Sequence, residues 1–147
     1  MTTEGADTEA LEALEEWLEA AIEATAATLT LVEGEKDIAA LRALGFTGPL
    51  RQVQTAGGLF GLAETLREEG VKEAIILTDW DRTGGKVARL LEEALRANGI
   101  RADLEVRRKL VRAAREIRHV ESLDTYLETV RARAAAPARA GPEPRRE

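Results

Sequence analysis

The sequence predicts an α/β protein in which a four-stranded parallel sheet is flanked by helices. Four short apolar or β-branched runs alternate along the chain with segments of helical periodicity, and a glycine closes most of the helical segments. Strands that alternate with helices in this way form βαβ units with right-handed crossovers, which requires the strands to be parallel. At 147 residues the chain is long enough for one domain with a substantial core.

The first element is an amphipathic helix. Apolar residues, including Trp17, recur at helical spacing from Thr8, the expected N-cap, to about Ala26. Glutamates between them form an acidic outer face that we expect to be solvated, whereas Trp17 belongs to the apolar stripe and is expected to pack. The segment 1–27 is therefore interpreted as an N-terminal helix packed on the domain.

The domain itself is expected to span residues 28–106 and to contain four strands. The predicted elements, in order, are a strand at 28–32, a helix ending at Gly45, a weaker strand at 50–54, a turn at 55–58, a helix at 59–69, a strand at 74–77, an acidic turn at 78–84, a helix at 85–98 with Gly99 at C′, and a strand at 100–106.

The C-terminal part of the chain is basic and then of low complexity. Residues 107–133 have a helical pattern that is expected to break near His119, and residues 134–147, rich in Ala, Pro, Arg and Gly, are expected to be disordered. Residues 101–119 carry seven basic side chains against three acidic ones: Arg101, Arg107, Arg108, Lys109, Arg112, Arg115 and Arg118 against Asp103, Glu105 and Glu116. This local charge suits a nucleic-acid backbone, although a solvated helix face has the same pattern.

Composition excludes several classes of protein. The absence of cysteine excludes disulfides, thiolate zinc sites and a cysteine nucleophile. No apolar run approaches the roughly 20 residues of a membrane-spanning helix. The N-terminus is acidic and lacks the pattern of a signal peptide, so we expect a cytoplasmic protein without membrane contact.

Three carboxylates are expected to meet at one edge of the sheet. Glu33 follows the first strand, and Asp79 and Asp81 follow the third. Strand carboxyl ends share one edge, and a strand order of 2-1-3-4 would make these two strands neighbours at the switch point. Oxygen ligands without nearby His or Cys favour Mg²⁺ or Mn²⁺ over zinc, and such ions suit phosphoryl chemistry.

Two motifs carry a resemblance to a known family. Leu31 to Asp37 reads L-V-E-G-E-K-D, Leu77 to Gly85 reads L-T-D-W-D-R-T-G-G, and a Gly-Gly turn lies between them. Together they resemble the Toprim domain of topoisomerases, bacterial-type primases, OLD-family nucleases and small ribonuclease M5-like proteins. The resemblance spans about residues 29–104 and implies a compact, Rossmann-like fold with the strand order 2-1-3-4.

The resemblance also implies roles for individual residues. Glu33 matches a glutamate that acts as a general acid or base and contacts metal, and Asp79 and Asp81 match aspartates that bind Mg²⁺. Loop-ordering roles are implied for a further set: Asp37, which helix capping explains equally well, Gly34 and Gly84. Substrate or phosphate contacts are interpreted more loosely, because solvated charge or turn geometry also explains them: Lys36, Arg82, Lys86, Gly57, Gly58 and His119.

The resemblance favours a small Mg²⁺- or Mn²⁺-dependent nuclease of the ribonuclease M5 kind, with RNA expected ahead of DNA. A second hypothesis is a non-catalytic nucleic-acid-binding or adaptor module that acts with a protein partner or as a homodimer. A third is a phosphatase of the haloacid-dehalogenase type, because Asp79 to Thr83 matches its D-x-D-x-T motif. That family needs a downstream acidic pair that the chain lacks, and the third hypothesis leaves Glu33 unexplained.

Overall fold

The structure is a computed structural model that describes residues 3–53 and 57–136. Its elements within these ranges are α1 (Thr3–Thr25), β1 (Leu29–Val32), α2 (Glu35–Ala43), β2 (Leu50–Gln52), α3 (Gly58–Glu68), β3 (Glu73–Ile76), α4 (Arg82–Ala97), β4 (Arg101–Asp103), α5 (Glu105–Ala113), a 3₁₀ turn (Val120–Ser122) and α6 (Leu123–Ala135). The strands form one parallel sheet in the order β2-β1-β3-β4, which confirms the predicted fold class and strand order.

The two faces of the sheet bury two separate cores. Because side chains alternate along a strand, Leu31 and Ile76 lie on one face, while Val32, Ile75 and Leu77 lie on the other. The first face is covered by α3 and α4 through leucines that are almost fully buried: Leu62, Leu66, Leu91 and Leu95. The second face shares one core with α1, α2, α5 and α6, whose buried residues include Leu14, Leu41, Leu110 and Leu127.

The N-terminal helix is an integral part of the second core. Trp17 is 7% exposed, and its indole Nε1 donates a hydrogen bond of 3.0 Å to the carbonyl oxygen of Val106 in α5. Its ring centroid lies 6.2 Å from that of Phe46. This packing explains why α1 needs an apolar stripe, since the helix packs against α5 and α6 and buries that stripe between them.

Several element boundaries differ from the prediction. Helix α1 begins at Thr3, so Thr8 lies inside the helix and is not its N-cap. Helix α4 begins at Arg82 rather than at 85, because the side chain of Asp81 caps it. Strand β4 ends at Asp103 rather than at 106: the Asp103 carboxylate accepts a 2.8 Å hydrogen bond from the Glu105 N–H, and the chain turns into α5.

The C-terminal region contains α5, the 3₁₀ turn and α6. Helix α5 ends at Ala113 and the 3₁₀ turn begins at Val120, so the helical pattern is interrupted from residue 114, earlier than the break expected near His119. Helix α6 continues to Ala135, two residues past the expected end of the helical segment. Residues 137–147, for which disorder was predicted, lie outside the described residues, as do 54–56 of the predicted turn. Among the described residues, no helix has both the length and the apolarity required to span a membrane.

Candidate metal centre

The centre lies where β1 and β3 end side by side. These strands are parallel neighbours, with Leu31 opposite Ile76, so the residues that follow them share one edge of the sheet. Glu33 follows β1, and its Oε2 atom accepts a hydrogen bond of 2.9 Å from the backbone N–H of Asp79. The pairing of Glu33 with the acidic turn that the strand order predicted is therefore present in the structure.

Asp81 uses its two carboxylate oxygens for different purposes. Oδ1 accepts a hydrogen bond of 2.7 Å from the Gly84 N–H and so caps the N-terminus of α4. Oδ2 lies 3.0 Å from Nε2 of His119. The capping role and a role in the centre are therefore compatible, because each uses a different oxygen.

The acidic turn depends on a glycine at position 84. A Cβ atom on Gly84 would lie 2.0 Å from the carbonyl oxygen of Asp79, which no side chain tolerates. The fully buried Thr78 fixes the same turn, since its hydroxyl donates a 2.9 Å hydrogen bond to the Gly84 carbonyl. Gly34 has no such constraint, because a Cβ there would meet no atom within 4 Å.

Asp37 orders the loop that carries Glu33. Its Oδ2 atom accepts hydrogen bonds of 3.2 Å from the backbone N–H groups of both Glu33 and Gly34. The residue is 4% exposed and sits in the first turn of α2, where an acidic group is favoured by the helix dipole. Asp37 thus holds the Glu33 backbone in place while its own oxygens face the loop.

A segment beyond the sheet closes the other side of the centre. The backbone N–H of Trp80 donates a 2.9 Å hydrogen bond to the Arg118 carbonyl, and the backbone N–H of Val120 donates a 2.8 Å hydrogen bond to Oδ1 of Asp79. His119 lies between these two anchor points. Residues before and after the histidine are thereby tied to the acidic turn.

Arg107 supports the acidic turn from α5. Its Nε donates to the Thr78 carbonyl at 3.0 Å, and its Nη2 donates to the Asp79 carbonyl at 2.7 Å. Sequence reasoning placed Arg107 in a basic segment facing nucleic acid, whereas the structure turns its guanidinium inward, toward backbone carbonyls. Only its position in a basic run could have drawn attention to it beforehand.

The carboxylates of the centre destabilise one another. Burial is the main cause that raises the pKa of Glu33, Asp37 and Asp79 above their ordinary values, and neighbouring carboxylates add to the effect. Backbone hydrogen bonds oppose the rise in all three. Asp81 behaves differently, because the Gly84 N–H and His119 lower its pKa. The centre therefore concentrates negative charge at one strand edge.

Asp79, Asp81 and His119 each place one ligand atom within 4.8 Å of the others, which is close enough for a shared metal ion. This group differs from the predicted set at one position, because His119 joins it and Glu33 is engaged with the Asp79 N–H. Two carboxylates and an imidazole are a donor set that divalent cations accept. The residues present therefore fit a divalent ion.

The other residues predicted to contact substrate or phosphate lie farther from the carboxylates of the centre. Lys36, Arg82 and Lys86 are exposed near the N-terminal ends of α2 and α4, beside the strand edge that carries the centre. Gly57 and Gly58, with φ values of 93° and 71°, lead into α3 after β2. Because β2 is on the far side of β1 from β3, these glycines belong to the other side of the strand edge from Asp79.

A basic pocket adjoins the acidic turn. Trp80 lines a surface cavity of about 390 Å³ together with five residues from the end of α5 and the segment after it: Val111, Arg112, Arg115, Ile117 and Arg118. The three arginines are exposed, and the Trp80 indole is anchored by a 3.2 Å hydrogen bond to the Ala114 carbonyl. Positive charge therefore lies next to the carboxylates.

Residues 28–111 match the family model for the Toprim domain, which covers more than half of the chain. The chain belongs to the Toprim family. The resemblance inferred from the two motifs is thus confirmed, and this Toprim domain includes the carboxylates of the centre but not His119. A metal-binding centre used in nucleic-acid processing is typical of the family.

Relatives of this Toprim protein occur in archaea. It is 39% identical over 104 residues to a UPF0292 protein of Methanosarcina acetivorans, a match that covers 70% of this chain and 71% of the relative. It is 35% identical over 103 residues to a UPF0292 protein of Archaeoglobus fulgidus, covering 69% and 78%. A solved structure of a putative protein from Aquifex aeolicus has the same fold, with a TM-score of 0.61, 23% identity, and coverage of 74% of this chain and 95% of that one.

Proposed function

We propose that this protein is a metal-dependent phosphodiesterase that hydrolyses nucleic acid, with RNA as the first substrate to consider, in the manner of a ribonuclease M5-like enzyme. The observation that carries the proposal is the meeting of Glu33 with the Asp79–Asp81 turn at adjacent strand ends. Half-buried carboxylates that repel one another are a common arrangement in sites that bind a cation and act on phosphate.

Asp79 and Asp81 are the proposed ligands of a divalent ion, Mg²⁺ or Mn²⁺, with Glu33 beside them. Each aspartate has one oxygen in a backbone hydrogen bond, which orients the carboxylate and directs the second oxygen elsewhere. When bound, the ion polarises the phosphate and offsets the charge that develops in an in-line displacement.

Glu33 is the proposed proton-handling group. In hydrolysis a new bond forms between water oxygen and phosphorus, the ester P–O bond breaks, and one water proton passes to a base. The departing oxygen takes a proton from solvent and leaves as an alcohol. The hydrogen bond from the Asp79 N–H fixes one oxygen of Glu33 and leaves the other available for that proton. Asp37 supports this role by holding the Glu33 backbone.

The basic pocket beside Trp80 gives the nucleic-acid backbone a path to the centre. Arg112, Arg115 and Arg118 supply positive charge on one side of the acidic turn. Near the N-terminal ends of α2 and α4, exposed cations are also proposed to contact phosphates: Lys36, Arg82 and Lys86. These groups would offset the repulsion between a polyanion and a chain with a formal net charge of -6.

The second candidate is a non-catalytic nucleic-acid-binding or adaptor module acting with a partner or as a homodimer. The net negative charge favours it, because a polyanion binds an acidic protein weakly unless a partner contributes positive surface. A phosphatase of the haloacid-dehalogenase type is disfavoured, since it gives no role to the bond between Glu33 and Asp79.

A cleavage panel distinguishes these candidates. Purified full-length protein is incubated with single-stranded, duplex and structured RNA and DNA in Mg²⁺ or Mn²⁺. The phosphodiesterase proposal expects cleavage that Asp79→Asn and Asp81→Asn abolish. Binding without turnover, unchanged in Asp79→Asn, supports the adaptor, and hydrolysis of a generic phosphomonoester supports the phosphatase.

A further inference from the structure

His119 lies outside the region that matches the Toprim model, yet its ring reaches the acidic turn. The family match ends at residue 111, and the histidine follows α5 in the segment that precedes the 3₁₀ turn. Its Nε2 atom is 3.0 Å from Oδ2 of Asp81, and the three ligand atoms of Asp79, Asp81 and His119 are mutually within 4.8 Å.

Backbone hydrogen bonds on both sides hold His119 in this position. Arg118 accepts from the Trp80 N–H through its carbonyl, and Val120 donates its N–H to the Asp79 carboxylate. Val120 is fully buried in the second core, and the His119 carbonyl accepts a 3.1 Å hydrogen bond from the Ser122 N–H. The histidine backbone is therefore fixed relative to the two aspartates, which is the preorganisation that a metal ligand requires.

We propose that His119 is a nitrogen ligand of the metal centre and makes the centre select a first-row transition-metal ion over Mg²⁺. The inference rests on the proposed metal-dependent function and deepens it by specifying the ion. Carboxylates alone suit Mg²⁺, whereas an imidazole nitrogen is a ligand that transition-metal ions accept more readily than Mg²⁺ does. Replacing one oxygen ligand by nitrogen therefore shifts the preference of an otherwise acidic site.

The competing explanation is an ordinary surface ion pair between His119 and Asp81. The side chain of His119 is 50% exposed and that of Asp81 33%, and exposed pairs of this kind contribute little to stability. An ion pair needs only a neighbouring charge. It does not require Asp79 to lie within ligand distance as well, nor the anchoring of Arg118 and Val120 to the turn.

The test is pulsed electron paramagnetic resonance of Mn²⁺ bound to the full-length protein, combined with calorimetric titration of Mn²⁺ and Mg²⁺. In the wild type we expect ¹⁴N coupling from a directly bound imidazole. His119→Ala should abolish the coupling and weaken Mn²⁺ binding about tenfold or more, while Mg²⁺ binding changes much less. Arg89→Ala is the control and should leave both the coupling and the binding of the two ions unchanged, because it removes an exposed cation of α4 that belongs neither to the acidic turn nor to the basic pocket.

Bound Mn²⁺ without ¹⁴N coupling would overturn the inference, as would equal weakening of Mn²⁺ and Mg²⁺ in His119→Ala or failure of the wild type to bind Mn²⁺. The outcome is separable from that of the proposed function. Nitrogen-coupled Mn²⁺ in a protein that cleaves no nucleic acid supports the ligand and contradicts the phosphodiesterase. Cleavage without nitrogen coupling contradicts only the ligand.

Discussion

The carboxylate of Glu33 accepts a hydrogen bond from the backbone N–H of Asp79, 46 positions away in the chain, at a distance of 2.9 Å. Only a parallel sheet in which β1 and β3 are neighbours brings these residues together. The bond also raises a question of stability, because it places one carboxylate against a turn that carries two more.

Neutralising Asp79 is expected to stabilise the metal-free protein. The folded-state pKa of Asp79 is raised, mainly by burial, so the folded state binds the proton more tightly than the unfolded state does. Stability from this group is present at low pH and lost as pH rises through the folded pKa. At neutral pH in a chelator, Asp79→Asn should therefore raise Tm, while its amide oxygen still accepts from the Val120 N–H. Differential scanning calorimetry checks this.

Neutralising Asp81 is expected to have the opposite effect. The pKa of Asp81 is lowered by the Gly84 N–H and by His119, so its charged form stabilises the fold above the unfolded value near 3.8 and this contribution is lost on acidification. Asp81→Asn should lower Tm slightly at neutral pH, because asparagine still caps α4 but loses the charge. Equal shifts of the same sign in Asp79→Asn and Asp81→Asn would contradict the electrostatic account.

Gly84→Ala is expected to disrupt the acidic turn. The new Cβ would lie 2.0 Å from the Asp79 carbonyl oxygen, so the backbone must shift, at a cost of about 3 kcal/mol or more. Gly34→Ala is the matched control, since its backbone is extended and no atom lies within 4 Å of the added methyl. Urea denaturation should show a change within about 1 kcal/mol for the control. An equal loss of unfolding free energy in Gly84→Ala and Gly34→Ala would contradict this account, because the loss would then not depend on the close approach to the Asp79 carbonyl.

Trp17→Ala is expected to cost about 3–5 kcal/mol of unfolding free energy, because the indole fills the core between α1 and α5. Trp17→Phe separates the packing from the hydrogen bond to the Val106 carbonyl and should cost about 1 kcal/mol for the lost bond, plus a smaller packing change. The exposed neighbour Glu16 provides the control, and Glu16→Ala should change stability by less than about 0.5 kcal/mol. A Trp17→Ala variant with the unfolding free energy of the wild type would show that α1 does not belong to the core.

Removing arginines from the basic pocket is expected to weaken nucleic-acid binding without unfolding the protein. The double variant Arg115→Ala/Arg118→Ala should bind more weakly, and the slope of log K against log salt should become shallower by about 1 for each lost phosphate contact. Arg67→Ala/Arg89→Ala removes the same two positive charges from α3 and α4, on the opposite face of the sheet, and should leave binding unchanged. Fluorescence anisotropy at several salt concentrations distinguishes a local path from a general charge effect.

The fold and the position of Glu33 beside the Asp79–Asp81 turn could be predicted, because both depend on local patterns. Apolar runs followed by acidic or glycine-rich turns identify strand ends, and parallel topology then brings Glu33 to the Asp79–Asp81 turn. The sequence predicts too late an end for β4 because apolar residues continue to Val106, which belongs to α5 and lies in the same core as Trp17. Periodicity over so short a run does not distinguish a strand from the first turn of a helix.

The places of His119 and Arg107 in the centre could not be predicted, because no local sequence pattern indicates them. His119 reaches Asp81 because the backbone of Arg118 and Val120 bonds to Trp80 and Asp79, and backbone hydrogen bonds of this kind leave no mark on residue type. The inward orientation of Arg107 could not be predicted for a different reason. In a run of exposed basic residues, nothing in the sequence marks the one whose guanidinium turns inward to the Thr78 and Asp79 carbonyls.

The most direct test of the central claim compares wild type, Asp79→Asn, Asp81→Asn and Glu33→Gln on structured RNA and DNA in Mg²⁺ and in Mn²⁺. We expect metal-dependent phosphodiester cleavage by the wild type, loss of cleavage in each variant, and folded variants by circular dichroism. The claim would be contradicted by a wild type that binds the ion and the nucleic acid yet leaves every phosphodiester intact, or by cleavage that survives in Asp79→Asn.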